Sequence, residues 1–114
     1  MHPRADYTIV YYSEAVQKEI LELPDTLAAR YLVLTSRMVA VGPNLGTPYT
    51  EAFGNGLFEL RLRGFEGIAR VFFCTLVGRR IVMLRGFVKK TRKTPPRERE
   101  LAETRMRKVK REDT

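Results

Sequence analysis

The sequence predicts an α+β fold with helices on one face of an antiparallel sheet, and three observations predict it. A β-rich stretch, "YTIVYY" at 7–12, comes first; apolar residues then recur at spacings of three and four between residues 16 and 41; three apolar or alternating runs separated by glycine turns fill 57–90. A basic helical segment follows them. At 114 residues the chain is expected to form a single domain, 1–114, with flexible ends at 1–6 and 111–114.

"YTIVYY" is β-branched and aromatic, and reads as a short central strand. Ser13 then caps a helix with Glu14 in its first turn and Val16, Ile20 and Leu23 along one side, up to Pro24. Asp25 serves as N-cap of a second helix, whose stripe is Leu27, Tyr31, Leu34, Met38 and Val41, with Arg30 and Arg37 outside it. "GPN" at 42–44 stops it. The next stretch, to about Asn55, reads as a loop with one short extended piece at "YTEAF". In "LFELRLR" (57–63), Phe58, Leu60 and Leu62 should face the core, leaving Leu57, Glu59, Arg61 and Arg63 on the other side. The turn "GFEG" leads into "GIARVFFCTLV" and Gly78 into "RRIVMLRGFVKK", an antiparallel meander. Thr94 caps a last helix that begins with two prolines and carries a thin stripe of Leu101, Ala102, Met106 and Val109.

Charge is the informative part of the composition. The chain carries 21 Lys and Arg against 13 Asp and Glu. Between Arg85 and Arg111 there are 12 basic and 3 acidic residues, while residues 1–84 hold 9 and 8. The excess is thus concentrated in the last quarter, the footprint of a surface that meets phosphates. No apolar run approaches the roughly 20 residues of a membrane span. The first residues form no signal-peptide-like segment and Cys74 has no second cysteine to pair with, so a cytoplasmic, membrane-free protein is expected.

Several chemistries lack their residues. His2 is the only histidine and lies in the segment expected to be mobile, which argues against a Ser-His-Asp triad, a Cys-His pair and the usual zinc ligand sets. No phosphate-cradling GxxxxGK[ST] loop and no aspartate cluster for magnesium is present. Cys74 falls in an apolar strand and reads as a core residue. Any catalysis is therefore expected to need neither metal nor cofactor. Arginines and lysines remain. Arg61 and Arg63 share a strand face that Arg70 joins once the hairpin closes, and Lys89, Lys90, Arg92 and Lys93 leave the last strand at its end. The basic residues of the last helix read as a solvated face. Tyr49 and Phe87, beside the loop and the basic strand end, are the candidates for stacking on a base.

The order of elements, with "GLFELRLRG", "IARVFF" and "IVMLRGFVKKTRKTPPRE", resembles the RelE superfamily of toxin ribonucleases, and within it the phage-derived HigB-like branch of type II toxin–antitoxin systems. The resemblance implies a ribosome-dependent mRNA interferase. Such an enzyme cuts mRNA in the ribosomal A site through attack of a 2′-hydroxyl, leaving a 2′,3′-cyclic phosphate, and is neutralised by a helix-turn-helix antitoxin. Carried over to this chain, Arg61 and Arg70 match the arginines that hold the scissile phosphate, and Lys89 or Lys90 matches the basic position after the last strand, with Lys90 expected to move a proton. Lys93 then assists in phosphate binding, and Arg63, Lys89 and Arg92, singled out by charge and placement, are expected to bind RNA phosphates as well. The family's C-terminal tyrosine is missing, as no Tyr follows Tyr49, which leaves Glu59 or a ribosomal group as base. Two other readings stay open: a ParE-like gyrase poison of the same fold, and a basic RNA-binding module that does not cut.

Overall fold

The computed structural model describes residues 6–113; His2 and the first part of the 1–6 end lie outside them. Its elements are β1 (Thr8–Tyr11), α1 (Glu14–Leu21), α2 (Asp25–Val41), β2 (Thr50–Gly54), β3 (Leu57–Gly64), β4 (Gly67–Leu76), β5 (Arg80–Lys89) and α3 (Pro96–Glu112). The α+β architecture predicted from the sequence is the one observed. The last helix continues through Arg111 and Glu112, where a frayed tail was expected.

The five strands form one sheet in the order β1-β5-β4-β3-β2. β2 to β5 are a continuous antiparallel meander, and β1 adds to β5 in parallel, Thr8 opposite Arg80 and Tyr11 opposite Met83. β1 is therefore an edge strand, against the expectation that it is central. Its apolar content has another cause: Ile9 and Tyr11 pack into the core on one face of the sheet, Val10 into the core on the other.

Both faces carry helices. On one, α1 and α2 lay Val16, Ile20, Leu27, Tyr31, Leu34 and Met38 against Leu60, Leu62, Val71, Phe73, Ile81 and Met83. Each fully buried side chain of this size contributes about 1.5–3 kcal/mol. Ser13 Oγ accepts from Val16 N at 3.2 Å and caps α1. Pro24, not Asp25, occupies the N-cap of α2, and Asp25 is its first residue. Val41, expected in the stripe, is exposed, since α2 ends at Gly42 with a φ of 113° and the chain turns away. On the other face α3 packs Ala102, Met106 and Val109 against Leu57, Phe72, Cys74, Val82 and Leu84. This corrects the expectation of helices on one side only. Leu101 lies on the outer side of α3.

Two local irregularities shape the sheet, one in a strand connection and one in a strand pairing. Asn55 and Gly56, at φ 56° and 86°, make the tight turn between β2 and β3. In β5 the pairing jumps from Phe72–Arg85 to Phe73–Met83, so Leu84 is an extra residue. A bulge of this kind reverses the alternation beyond it. Val82 and Leu84 face α3, yet past the bulge it is Phe87 and Lys89, not Gly86 and Val88, that share that side. Arg85, beside the bulge, bridges both helical layers through Glu19 of α1 and Glu98 of α3.

Candidate active site

The apolar stripe of α3 covers only part of its sheet face. Toward the helix N-terminus the face stays open as a depression of about 380 Å³, with Glu59, Arg61, Arg70 and Lys89 from the strands and Thr94 and Arg99 from the approach to and first turns of α3. Phe53 and Phe72 supply apolar wall, their rings 5.9 Å apart.

Cross-strand register brings the arginines together. Gly64 pairs with Gly67 at the hairpin end, and three residues further along each strand Arg61 stands directly opposite Arg70. Between them, 2% exposed, is Glu59. Arg61 Nε donates to Glu59 Oε1 at 3.3 Å, and Arg61 also pairs with Glu51. Arg70 Nε lies 3.3 Å from the same Oε1. Its N–H is not aimed at that oxygen, however, and Nε is a buried donor without a hydrogen-bond partner among the described residues. Charge attraction is present there; the hydrogen bond is not. The Thr94 hydroxyl, expected to cap α3, instead donates to Glu59 Oε2 at 3.4 Å, and Pro95 takes the N-cap position.

Burial governs the protonation of these groups. It raises the Glu59 carboxyl above its ordinary range against the opposing pull of Arg70, Lys89, the Thr94 hydroxyl and Arg99. Burial also lowers Arg70, where Glu59 resists the shift while Arg61 and Arg63 add to it; a guanidinium still keeps its proton. Lys89 is lowered by desolvation first and by Arg70 next, Glu59 opposing and Arg61 adding. A carboxyl pushed up and an ammonium pushed down, in one depression, are the environment of an acid–base pair.

The remaining candidates are distributed around this centre. Lys90 follows the last residue of β5 and is exposed, outside the lining, whereas Lys89 is within it. Arg92 and Lys93 are exposed in the segment between β5 and α3. Arg63 is exposed opposite Ile68. Phe87 is half-buried against Phe72, ring centroids 6.2 Å apart, with the Arg85 guanidinium 5.8 Å from its ring. Tyr49 lies at the sheet edge, under Arg30 and Arg37 of α2. Sequence reasoning read Arg99 as solvated surface; it lines the depression, its guanidinium carbon 4.6 Å from the centre of the Phe53 ring.

A family model described as "Phage derived protein Gp49-like (DUF891)" matches residues 18–107, from α1 through most of α3. The chain belongs to the Gp49-like family. This is a RelE/toxin-type family, and the match takes in β3, β4, β5 and every residue named around the depression. No curated protein matches the chain. Among the described residues no helix is long and apolar enough to cross a membrane. The Gp49-like chain thus brings a toxin-type family together with a pair of facing arginines, a buried carboxyl and a lysine in one hollow.

Proposed function

We propose that this Gp49-like protein is the toxin of a type II toxin–antitoxin pair and an endoribonuclease that cleaves mRNA in the ribosomal A site. The observation that carries the reading is Glu59, buried and raised in pKa between Arg61 and Arg70, with Lys89 lowered in pKa beside it. Arg61 and Arg70 hold the scissile phosphate and stabilise the extra negative charge of the phosphorane more than that of the ground state. Glu59 takes the proton of the 2′-hydroxyl as its oxygen bonds to phosphorus. The bond from phosphorus to the 5′-oxygen breaks, and that oxygen takes a proton from Lys89. The products are a 2′,3′-cyclic phosphate and a 5′-hydroxyl, and the two side chains exchange protons with water to reset. Lys90, Arg92, Lys93 and Arg63 add phosphate contacts outside the hollow. The cognate antitoxin, a helix-turn-helix protein on this reading, neutralises the toxin in the cytoplasm.

One defined mRNA, alone and on programmed ribosomes, with wild-type protein and Arg70→Ala, tests the reading by primer extension. Ribosome-dependent cuts lowered about 10²–10³-fold in the variant are expected. Growth arrest by folded protein without any cut would replace the nuclease by a gyrase poison or by a module that binds RNA and occludes it.

A further inference from the structure

A second hollow, of about 400 Å³, adjoins the Glu59 depression and shares Arg61 and Arg70 with it. It lies where the pairing of β2 with β3 stops: the last partners are Thr50 and Leu60, followed by one bond from Arg61 N to Tyr49 O at 2.8 Å. Past that point β3 continues without β2 alongside. Arg30 of α2 and Arg63 of β3 bring the guanidiniums lining the hollow to four among the described residues, none of whose carboxylates lines it. Neither Arg30 nor Arg63 has an ion-pair partner among the described residues. Cations gathered in this way attract an anion.

Apolar groups complete the walls of the hollow. Pro48, Tyr49 and Ile68 line it between the cations. Both backbone groups of Tyr49 are held, its C=O by the bond from Arg61 and its N–H by a bond to Gly46 O at 2.9 Å. Its ring is buttressed by Arg30 and Arg37, whose guanidinium carbons lie 5.7 and 5.1 Å from the ring centre. Those arginines are seven residues apart, two turns on one side of α2. A braced aromatic ring beside four guanidiniums fits a ligand with a π-face and a phosphate, and the volume lies in the range of small-molecule sites.

We infer that this hollow is a second nucleoside subsite. A dinucleotide step of single-stranded RNA straddles the Arg61–Arg70 pair, its phosphate on the guanidiniums, one nucleoside over Glu59 and the other against Tyr49. The inference rests on the nuclease reading for its substrate class. Stacking on Tyr49 accepts any base, whereas donors on Arg30 and Arg63 discriminate among base edges. Tyr49, Arg30 and Arg63 therefore set the base preference on one side of the cut. An acidic protein segment would satisfy the arginines and leave the apolar walls unused.

The test is titration of the protein with four dinucleotides that carry a 2′-O-methyl group on the first ribose and differ in the second base, monitored by NMR. The Ile68 methyl and Tyr49 ring signals should shift saturably. Tyr49→Ala should weaken binding about ten-fold or more, Tyr49→Phe should retain it, and Arg30→Ala should change the ranking of the four. The inference is overturned if shifts stay around Glu59 and Lys89 and Tyr49→Ala binds like wild type. It is equally overturned if inorganic phosphate reproduces the whole pattern, or if a glutamate-rich peptide occupies the hollow and no dinucleotide does. Absence of ribosomal cleavage by wild type is a separate result: it removes the nuclease, while the titration still reads the subsite.

Discussion

Replacing Glu59 with glutamine separates two uses of a buried carboxyl, as anchor for arginines and as proton acceptor. The side chain is 3% exposed, and burial raises its pKa above 4.5 in spite of the surrounding cations. A carboxyl whose pKa is higher folded than unfolded binds more protons in the folded state. Its stabilising contribution is complete below about pH 4.5 and is lost as pH rises through the folded value. At pH 8 the ionised carboxyl therefore costs stability, with the attraction of Arg70, Lys89 and Arg99 already counted. Glutamine imitates the neutral form in shape and can still accept from Arg61 Nε. The expected change at pH 8 is zero or a gain, not the loss of about 3–5 kcal/mol that breaking a favourable buried pair brings. Cleavage should fall by about 10²–10⁴-fold, because an amide does not take the proton. Urea denaturation of both proteins at pH 5 and pH 8, beside cleavage on ribosomes, reads both quantities. A loss above about 3 kcal/mol at pH 8 refutes the electrostatic reasoning, and wild-type cleavage by the variant refutes proton transfer.

If Lys89 gives the proton as proposed, its lowered pKa should make the cleavage rate decline at a pH below 10.5, and Lys89→Arg should move that decline upward; an unmoved pH–rate profile would assign the proton to another group. The same shift means that the folded state binds fewer protons at this site, so its contribution to stability improves as pH rises toward 10.5. Gly86 sits under α1, where an added Cβ would lie 2.5 Å from Ile20 Cγ1 and 3.6 Å from Val71 Cγ2. Gly86→Ala should cost about 1–3 kcal/mol in chemical denaturation, and a loss under about 0.5 kcal/mol would mean that α1 moves away freely. Cys74 is fully buried and its thiol is pushed up to about 11, so iodoacetamide at pH 8 should leave it unmodified until denaturant is added; rapid alkylation of the folded protein would show α3 leaving the sheet.

What the sequence made legible is what counting along the chain can reach. Arg61 and Arg70 could be paired because each is three residues from the glycine at its end of the "GFEG" turn, and a tight hairpin fixes register. The helical stripes of α1 and α2 emerge from spacing alone. Lys89 could not be separated from Lys90 in this way. Counted from Val82 and Leu84, alternation puts Lys90 on the α3 side, and only the extra residue at Leu84 exchanges it for Lys89. Glu59 appeared as one charge on a charged face because nothing local announces that Thr94, on the approach to α3, will reach it. Its burial and its bond from Thr94 join residues 35 apart in the chain, beyond the reach of periodicity.

The thin stripe of α3 is what produces the site. Ala102, Met106 and Val109 are too few to cover β3, β4 and β5 from end to end, and they meet only the half of the face that offers Leu57, Cys74, Val82 and Leu84. The other half carries Glu59, Arg61, Arg70 and Lys89, which no apolar helix could cover without stranding charges. Arg85, paired with Glu19 and Glu98, fixes the start of α3 near the line between the two halves. Thr94 and Arg99 consequently reach into the open half while the rest of the helix stays on the apolar one. A longer stripe, with leucines in place of Arg99 and Glu98, would remove the Glu98 partner of Arg85 and close the hollow over buried cations. The polar first turns of α3 and the charged end of the sheet are thus one requirement, and the depression is where it is met.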